Sequence, residues 1–376
     1  MEITNEMRDL GDLIEKYFKN EVDPVVAEYD ARGEYPEKVY NDLIEMGLNL
    51  LAVPTEHDGL MVDHKTETYI AEILGRHDCG IASAIGVNNS ACSTMNFFGN
   101  DEQKKDFFGI LTSGKLAGFC LTEPNAGSDS ASVKTTAKLD GDEYVLNGTK
   151  CFITNGGIAG VYIVIASTDL SKGTKGLSVF YVEGNREGLI IGKHEDKMGI
   201  RLSNTTQIIF EDCRIPKDHL IGQEGKGFVY AMKTLGTSRN FVGGMAVGLA
   251  QRAIDECVEY AKSRVQFGKP IAYKQGIQFM LADMQTQTAA ARELAYHAAD
   301  LIDKNEDYEI YVSMSKLFAS DVAMKVTTDG VQIFGGYGYM KEYPMEKMMR
   351  DAKILQIYEG TNQIQRVVIS NIMLSK

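Results

Sequence analysis

The sequence predicts a mainly α protein with one central β domain. An N-terminal helical domain covers residues 1–116, an antiparallel β-barrel or sandwich covers 117–222, and a C-terminal antiparallel helical bundle covers 223–376. Three observations predict this. Apolar residues recur at helical spacing at both ends of the chain. In the middle they fall instead into short β-branched and aromatic runs separated by glycine-rich turns. No helical stretch lies between those runs, which disfavours a parallel sheet with crossover helices.

The elements follow in order. Leu10, Leu13, Ile14 and Phe18 mark a first helix, closed by Pro24; Pro36 opens a second through Val39, Leu43, Ile44 and Met46, with Gly47 as its stop. A third runs near Thr66 to Gly75, and the small, apolar segment Ile81 to Phe98 reads as a buried helix. Strands are expected at Tyr144–Gly148, Val161–Ile165, Leu177–Val182 and Thr206–Phe210. Val161–Ile165 has no polar alternation, as a strand buried on both faces should not. After Gly222 the helical period returns, with long helices at about 228–264, 274–303 and 309–334 and two short ones beyond Gly335-Gly336-Tyr337-Gly338.

At 376 residues the chain exceeds one ordinary core. Its net charge of −13 argues against nucleic acid as a primary ligand, since phosphate backbones demand a basic footprint. Six scattered cysteines without a Cys-x-x-Cys pair, and six histidines without metal-ligand spacing, predict reduced thiols and no metal site. The charged start MEITNEMRDLGDLIEKYF is not a signal peptide, and no apolar run reaches the roughly 18 residues of a membrane helix. A cytoplasmic protein without a membrane partner is the expectation.

Several strings carry chemistry. Leu121-Thr122-Glu123-Pro124-Asn125-Ala126-Gly127-Ser128-Asp129 offers hydroxyls and backbone N–H groups to phosphate or a polar ring edge. In Asn147–Gly156, Phe152 could cover a ring face while Thr154 offers a hydroxyl to a ring nitrogen. Arg264, Phe267 and Gln275, with Gln332 and the glycine pair ending in Gly336, supply the cation, amides and close backbone approach that pyrophosphate recognition needs. Each string alone also reads as an ordinary turn or helix end. Ser313-Met314-Ser315-Lys316 matches Ser-x-x-Lys without the Lys-Thr-Gly partner of that motif, and chance accounts for it. No Gly-x-Gly-x-x-Gly follows a strand, so a Rossmann nicotinamide site is not indicated.

The most informative residue is Glu359, in Tyr358-Glu359-Gly360-Thr361. Alone it reads as a helix-opening glutamate, favoured there by the macrodipole. Buried beside an aromatic ring, however, its pKa would rise toward neutrality, where general-base chemistry is most efficient.

Taken together, LTEPNAGSD, NGTKCFITNG, KMGIRLSNTT, RVQFGKP, QIFGGYGY, YPMEKMMRDAK and IYEGTNQIQR, in this order over nearly the whole chain, resemble the acyl-CoA dehydrogenase family. The resemblance implies that the C-terminal bundle is a four-helix bundle, and it implies FAD, a coenzyme A thioester and a homotetramer built as a dimer of dimers. It makes Glu359 the base that removes the α-proton while hydride leaves the β-carbon for flavin N5, giving a trans-2-enoyl thioester. Electrons would pass to an electron-transferring flavoprotein. It assigns FAD contacts to Leu121, Thr122, Ser128, Phe152 and Thr154, to Arg264, Phe267, Gln275, Gln332 and Gly336 from a neighbouring subunit, and to Thr361 and Gln363. Ser128, Arg239, Tyr358, Gly360, Ser83 and Gly86 would meet the thioester. Phe152 stands where many relatives carry tryptophan, and Ser238 stands where some carry the base instead. The polar Ser83, Asn88 and Asn89 point to a short or polar-tipped acyl group. The same site run in reverse would make an enoyl- or arylacryloyl-CoA reductase. A DNA-binding flavoprotein relative is opposed by the charge and by the retained Glu359.

Overall fold

The structure is a computed structural model and describes residues 3–375. Six helices open the chain: α1 (Asn5–Tyr17), α2 (Val26–Arg32), α3 (Glu37–Glu45), α4 (His64–His77), α5 (Cys79–Phe98) and α6 (Asp101–Thr112). Caps explain several of the boundaries. Thr4 caps α1, Asp63 caps α4, Asp78 caps α5, and Asn100 with Gln103 forms a capping box on α6. Helices α2 and α6 are additions to the sequence reading. Leu13, expected inside, is 52% exposed.

Eight strands follow: β1 (Leu116–Cys120), β2 (Thr136–Asp140), β3 (Glu143–Thr154), β4 (Ala159–Ser167), β5 (Leu177–Glu183), β6 (Leu189–His194), β7 (Thr205–Pro216) and β8 (Leu220–Ile221). They form one sheet in the order β6-β7-β3-β2-β4-β5-β8, with β1 beside β4. The sheet is mixed rather than purely antiparallel, because β1 and the start of β2 pair with β4 in parallel. The expected short strand at Tyr144 is the first half of the long β3. Its pairing with β7 shifts register between Leu146 and Gly148 and again between Lys150 and Ile153. As expected, β4 is buried on both faces: Val161, Ile163 and Ile165 pack with α5 and α6, and Tyr162, Val164 and Ala166 pack with β3, β5 and β7.

The last region holds α7 (Gly227–Ser263), a two-strand hairpin of β9 (Val265–Gln266) and β10 (Lys269–Pro270), then α8 (Gln275–Asp303), α9 (Glu309–Phe334), α10 (Met345–Leu355) and α11 (Asn362–Leu374). The largest core does not respect the chain's three stretches: it joins side chains of α1, α4 and α5 to those of α7, α9 and α10. Close helix approach makes this possible. A Cβ on Gly248 of α7 would lie 1.9 Å from the Glu72 carbonyl of α4.

A buried charge cluster locks the three regions together. Lys347 on α10 donates to Asp78, the cap of α5, and to Asp351, each at 2.6 Å. The second Asp351 oxygen accepts from the backbone N–H of Ile200, in the loop before β7, at 2.5 Å. Burial opposes the charge on Lys347, but Asp351 and Asp78 outweigh it and hold its pKa above the ordinary range. Among the described residues no helix is long and apolar enough to cross a membrane, and no cluster of metal-ligating side chains occurs.

Removing one member of such a cluster leaves buried charge uncompensated. Lys347→Met should lower stability by about 3–5 kcal/mol in chemical denaturation. A loss below about 1 kcal/mol would show that the cluster does not hold the regions together.

Candidate active site

The sequence places Glu359 between two helices, and the structure shows it outside both. Helix α10 ends at Leu355, and α11 begins at Asn362 with Thr361 as its cap, the Thr361 hydroxyl accepting from the Ile364 N–H at 3.2 Å. Glu359 therefore does not open a helix. It sits in the connecting loop with φ of +54°, followed by Gly360 at +84°. Left-handed backbone is costly for a residue with a Cβ and persists only where surroundings enforce it.

Those surroundings are visible. The Glu359 carbonyl accepts from Arg239 Nε at 3.0 Å and from Gln365 Nε2 at 3.1 Å. The Gly360 carbonyl accepts from Gln365 Nε2 at 3.0 Å and from Lys316 Nζ at 2.8 Å. Three side chains from α7, α9 and α11 thus grip two consecutive carbonyls. Among the described residues, the Glu359 N–H has no intrachain acceptor, so it stays free to donate.

The carboxylate itself meets Ser238, whose hydroxyl donates to Oε2 at 3.2 Å. Burial raises the Glu359 pKa above its ordinary value, against the opposing pull of Arg239, Ser238 and Lys316. Position 238 thus abuts the same carboxylate, which gives a physical reason why a base could stand at either position. Arg239 is buried beside it.

The neighbouring Tyr358 hydroxyl lies 3.0 Å from Ser83 Oγ, which also donates to the Cys79 carbonyl at 2.7 Å. One helical turn further along α5, Gly86 faces the ring of Phe241, where an added Cβ would come within 2.8 Å. Ser83, Gly86, Arg239, Tyr358, Glu359 and Gly360 therefore form one neighbourhood between α5, α7 and α9. Thr361 and Gln363 follow at the start of α11, with Gln363 exposed.

A second group lies at the edge of the sheet. The N–H of Cys151 donates to the Thr122 carbonyl at 3.0 Å, bringing the strings of Leu121 and Phe152 side by side. The register shift after Lys150 accompanies a φ of +58° at Phe152, a residue that is 65% exposed. The hydroxyls of Thr122, Ser128 and Thr154 bond to nothing within the chain, among the described residues. Beneath them lies a pair that carries no role in the sequence reading. The ammonium of Lys150, fully buried, donates to Glu123 Oε1 at 2.7 Å and to the Leu121 carbonyl at 3.1 Å. Glu123 also accepts from the N–H groups of Lys134 and Thr135. The signal was a lysine among the inward-facing residues of a strand.

The third group gathers where α7 and α9 end. The Arg264 guanidinium lies 5.2 Å from the centroid of the Tyr337 ring, and an open groove there is lined by Arg264, Phe334, Gly335 and Gly336. Phe267, in the β9–β10 turn, is 92% exposed, and Gln275 and Gln332 are exposed as well. Among the described residues no hydrogen bond joins this group to the other two.

Lys316 was missed altogether as a site residue, yet it is buried within reach of the Glu359 loop. Val312, Lys316, Ala319 and Ala323 share one buried helical stripe, and a lone lysine on an apolar stripe is the signal that could have found it.

Comparison with known proteins agrees along the whole chain. Family models described as the N-terminal, middle and C-terminal domains of acyl-CoA dehydrogenase match residues 4–115, 118–213 and 225–374. An acryloyl-CoA reductase (NADH) of Anaerotignum propionicum is 45% identical over 100% of this chain and 96% of its own. The structure of butyryl-CoA dehydrogenase from Megasphaera elsdenii superposes with a TM-score of 0.97 at 42% identity, covering 100% of this chain and 99% of the other. A chain in a structure described as the electron transferring flavoprotein of Acidaminococcus fermentans, towards a mechanism of flavin-based electron bifurcation, gives 0.97 at 43% identity over 100% of both chains.

A buried carboxylate whose pKa is raised weakens the fold wherever it is ionised. That penalty is absent below the ordinary carboxylate range, grows as pH rises through it, and is complete above the raised value in the folded protein. Glu359→Gln should therefore be more stable than the parent protein at neutral and alkaline pH in thermal unfolding, with the advantage vanishing in acid. An advantage that persisted in acid would exclude desolvation of this carboxylate as its cause.

Proposed function

Because the chain belongs to the acyl-CoA dehydrogenase family, we propose that it interconverts a short-chain acyl-CoA thioester and its trans-2-enoyl counterpart, with Glu359 as the base. One observation carries this reading. Glu359 presents a desolvated carboxylate from a strained loop, held through its own carbonyl, while its N–H remains free.

The chemistry needs that combination. The α-proton of a thioester is far too weakly acidic for a carboxylate in water. A raised pKa strengthens Glu359 as a base, and the free N–H, aimed at the thioester carbonyl, would stabilise the negative charge that develops on its oxygen. The proton moves from Cα to a Glu359 oxygen, the Cα–H electron pair becomes the new double bond, and hydride leaves Cβ. Tyr358 and Ser83 hold the near end of the acyl site, and Phe241 against Gly86 limits its depth, which supports a short acyl group. The likeness to the Megasphaera protein named butyryl-CoA dehydrogenase supports the same substrate class.

Members of this family are FAD-dependent. The residues present fit such a group: an exposed Phe152 ring beside three unengaged hydroxyls, those of Thr122, Ser128 and Thr154, suits an aromatic ring system with polar edges. Leu121 would flank it, while Thr361 and Gln363 would reach it from α11. Arg264, Phe267, Gln275, Gln332 and Gly336, largely exposed, would on this reading hold its diphosphate end in a second copy of the chain, within a homotetramer built as a dimer of dimers. FAD, when bound, supplies the two-electron acceptor for the hydride.

A second reading runs the same groups backwards, with protonated Glu359 delivering the proton to Cα of an enoyl thioester. The 45% likeness to a protein named acryloyl-CoA reductase supports it. An electron-transferring flavoprotein as redox partner is supported by the likeness to the Acidaminococcus chain.

Anaerobic reduction of the flavin, followed against a panel of acyl-CoA and enoyl-CoA thioesters, tests the assignment. Glu359→Gln should retain FAD and thioester binding and reduce the flavin at least roughly 10³-fold more slowly. Normal bleaching by that variant would remove Glu359 as the base.

A further inference from the structure

We propose that Lys316 is a positioning residue for the reaction, a buried cation that clamps the Glu359 loop and tunes its carboxylate. The inference rests on the reading of Glu359 as the base. Lys316 has no exposed surface, yet among the described residues its ammonium meets a carbonyl and an amide oxygen rather than a carboxylate. A buried ammonium without such a partner is costly, so its place must be secured by hydrogen bonds.

The bonds it makes all concern the loop. Its ammonium donates to the Gly360 carbonyl at 2.8 Å and to Asn362 Oδ1 at 2.9 Å. Asn362 in turn donates to Ser320 Oγ at 2.9 Å and to Asp321 Oδ1 at 2.8 Å, on the same helix. That Asp321 oxygen also accepts from Gln356 at 2.6 Å, on the other side of the loop. Helix α9 therefore holds the residue before Ile357, the carbonyl of Gly360 and the first residue of α11. Five residues that include Glu359 have their ends tied to one rigid element, and this is how a left-handed glutamate can persist.

The charges facing Lys316 explain its second effect. Glu359 approaches from the loop, Arg239 from α7, and Asp321 from its own helix. Burial pushes the Lys316 pKa down to about 7, with Arg239 acting in the same sense and Glu359 and Asp321 opposing. Lys316 and Arg239 are the two cations that hold down the pKa that burial raises on Glu359. Arg239 stays charged throughout the working range, so Lys316 is the member of the pair whose charge can change near neutrality.

The test compares Lys316→Met with the parent holoenzyme by anaerobic flavin reduction with butyryl-CoA across the neutral range, with Glu359→Gln in parallel. Loss of the cation should move the acidic limb of the rate profile up by roughly one pH unit, and the loosened loop should lower the plateau rate by roughly 10- to 10²-fold. Lys316→Arg, which keeps a cation, should return the limb toward its original place. Should Lys316→Met not fold, Lys316→Gln serves the same comparison. A slower rate with an unmoved limb marks Lys316 as structural only and overturns the inference, while an inactive Glu359→Gln leaves the base in place. Normal reduction by Glu359→Gln overturns the base assignment and this inference with it.

Discussion

The cluster of Asp78, Lys347 and Asp351 is the constraint on which the remaining architecture depends. Charges taken out of water must find partners nearby, and here a pair four residues apart on α10, Lys347 and Asp351, is completed by Asp78 from the start of α5 and by the Ile200 N–H from the loop before β7. Asp78 caps α5, Asp351 receives the Ile200 N–H, and Lys347 sits between them on α10. The same helix also reaches α2 through Arg350 and Asp30, at 2.7 Å, and takes the carbonyl of Met198 at 2.8 Å. Gly199 is pressed so closely on α10 that a Cβ would lie 2.5 Å from the Arg350 carbonyl. Helix α10 is thereby fixed against both the first helices and the loop that leads into β7.

Fixing α10 fixes the start of the loop that carries Glu359. Helix α9 holds that loop through Asp321 and Lys316, α7 holds it through Arg239, and α5 meets it at Tyr358. Each contact is modest alone. Together they oblige a glutamate to adopt a backbone conformation that glycine prefers, and they place its carboxylate where burial raises its pKa against two nearby cations. Two opposed effects of this kind set the basicity of a carboxylate more finely than either could alone.

Much of the fold was legible in the sequence because it rests on local periodicity. The long helices α7, α8 and α9 and the doubly buried β4 follow from spacing and residue type. The short elements α2, α6, β2, β6 and β8 did not announce themselves, since their formation depends on neighbours rather than on their own pattern. The parallel pairing of β1 with β4 was likewise invisible: parallel partners lie far apart in sequence and leave no turn between them. Lys316 and Lys150 were passed over for a related reason. A lysine reads as surface until the structure shows which carbonyl or carboxylate sits opposite.

By itself, the sequence determined the succession of helical, β and helical stretches, the family strings, and the identity of the carboxylate at position 359, all of which are carried by residue order and composition. Only the tertiary structure decided that the first and last stretches share one core, that Glu359 lies outside both flanking helices, and that Ser238, Arg239 and Lys316 surround it. The hydrogen bonds of those three residues to the loop span from 44 to 121 positions. No local pattern encodes such distances, because they are set by packing, which brings together whatever the close crossings of helices leave facing one another.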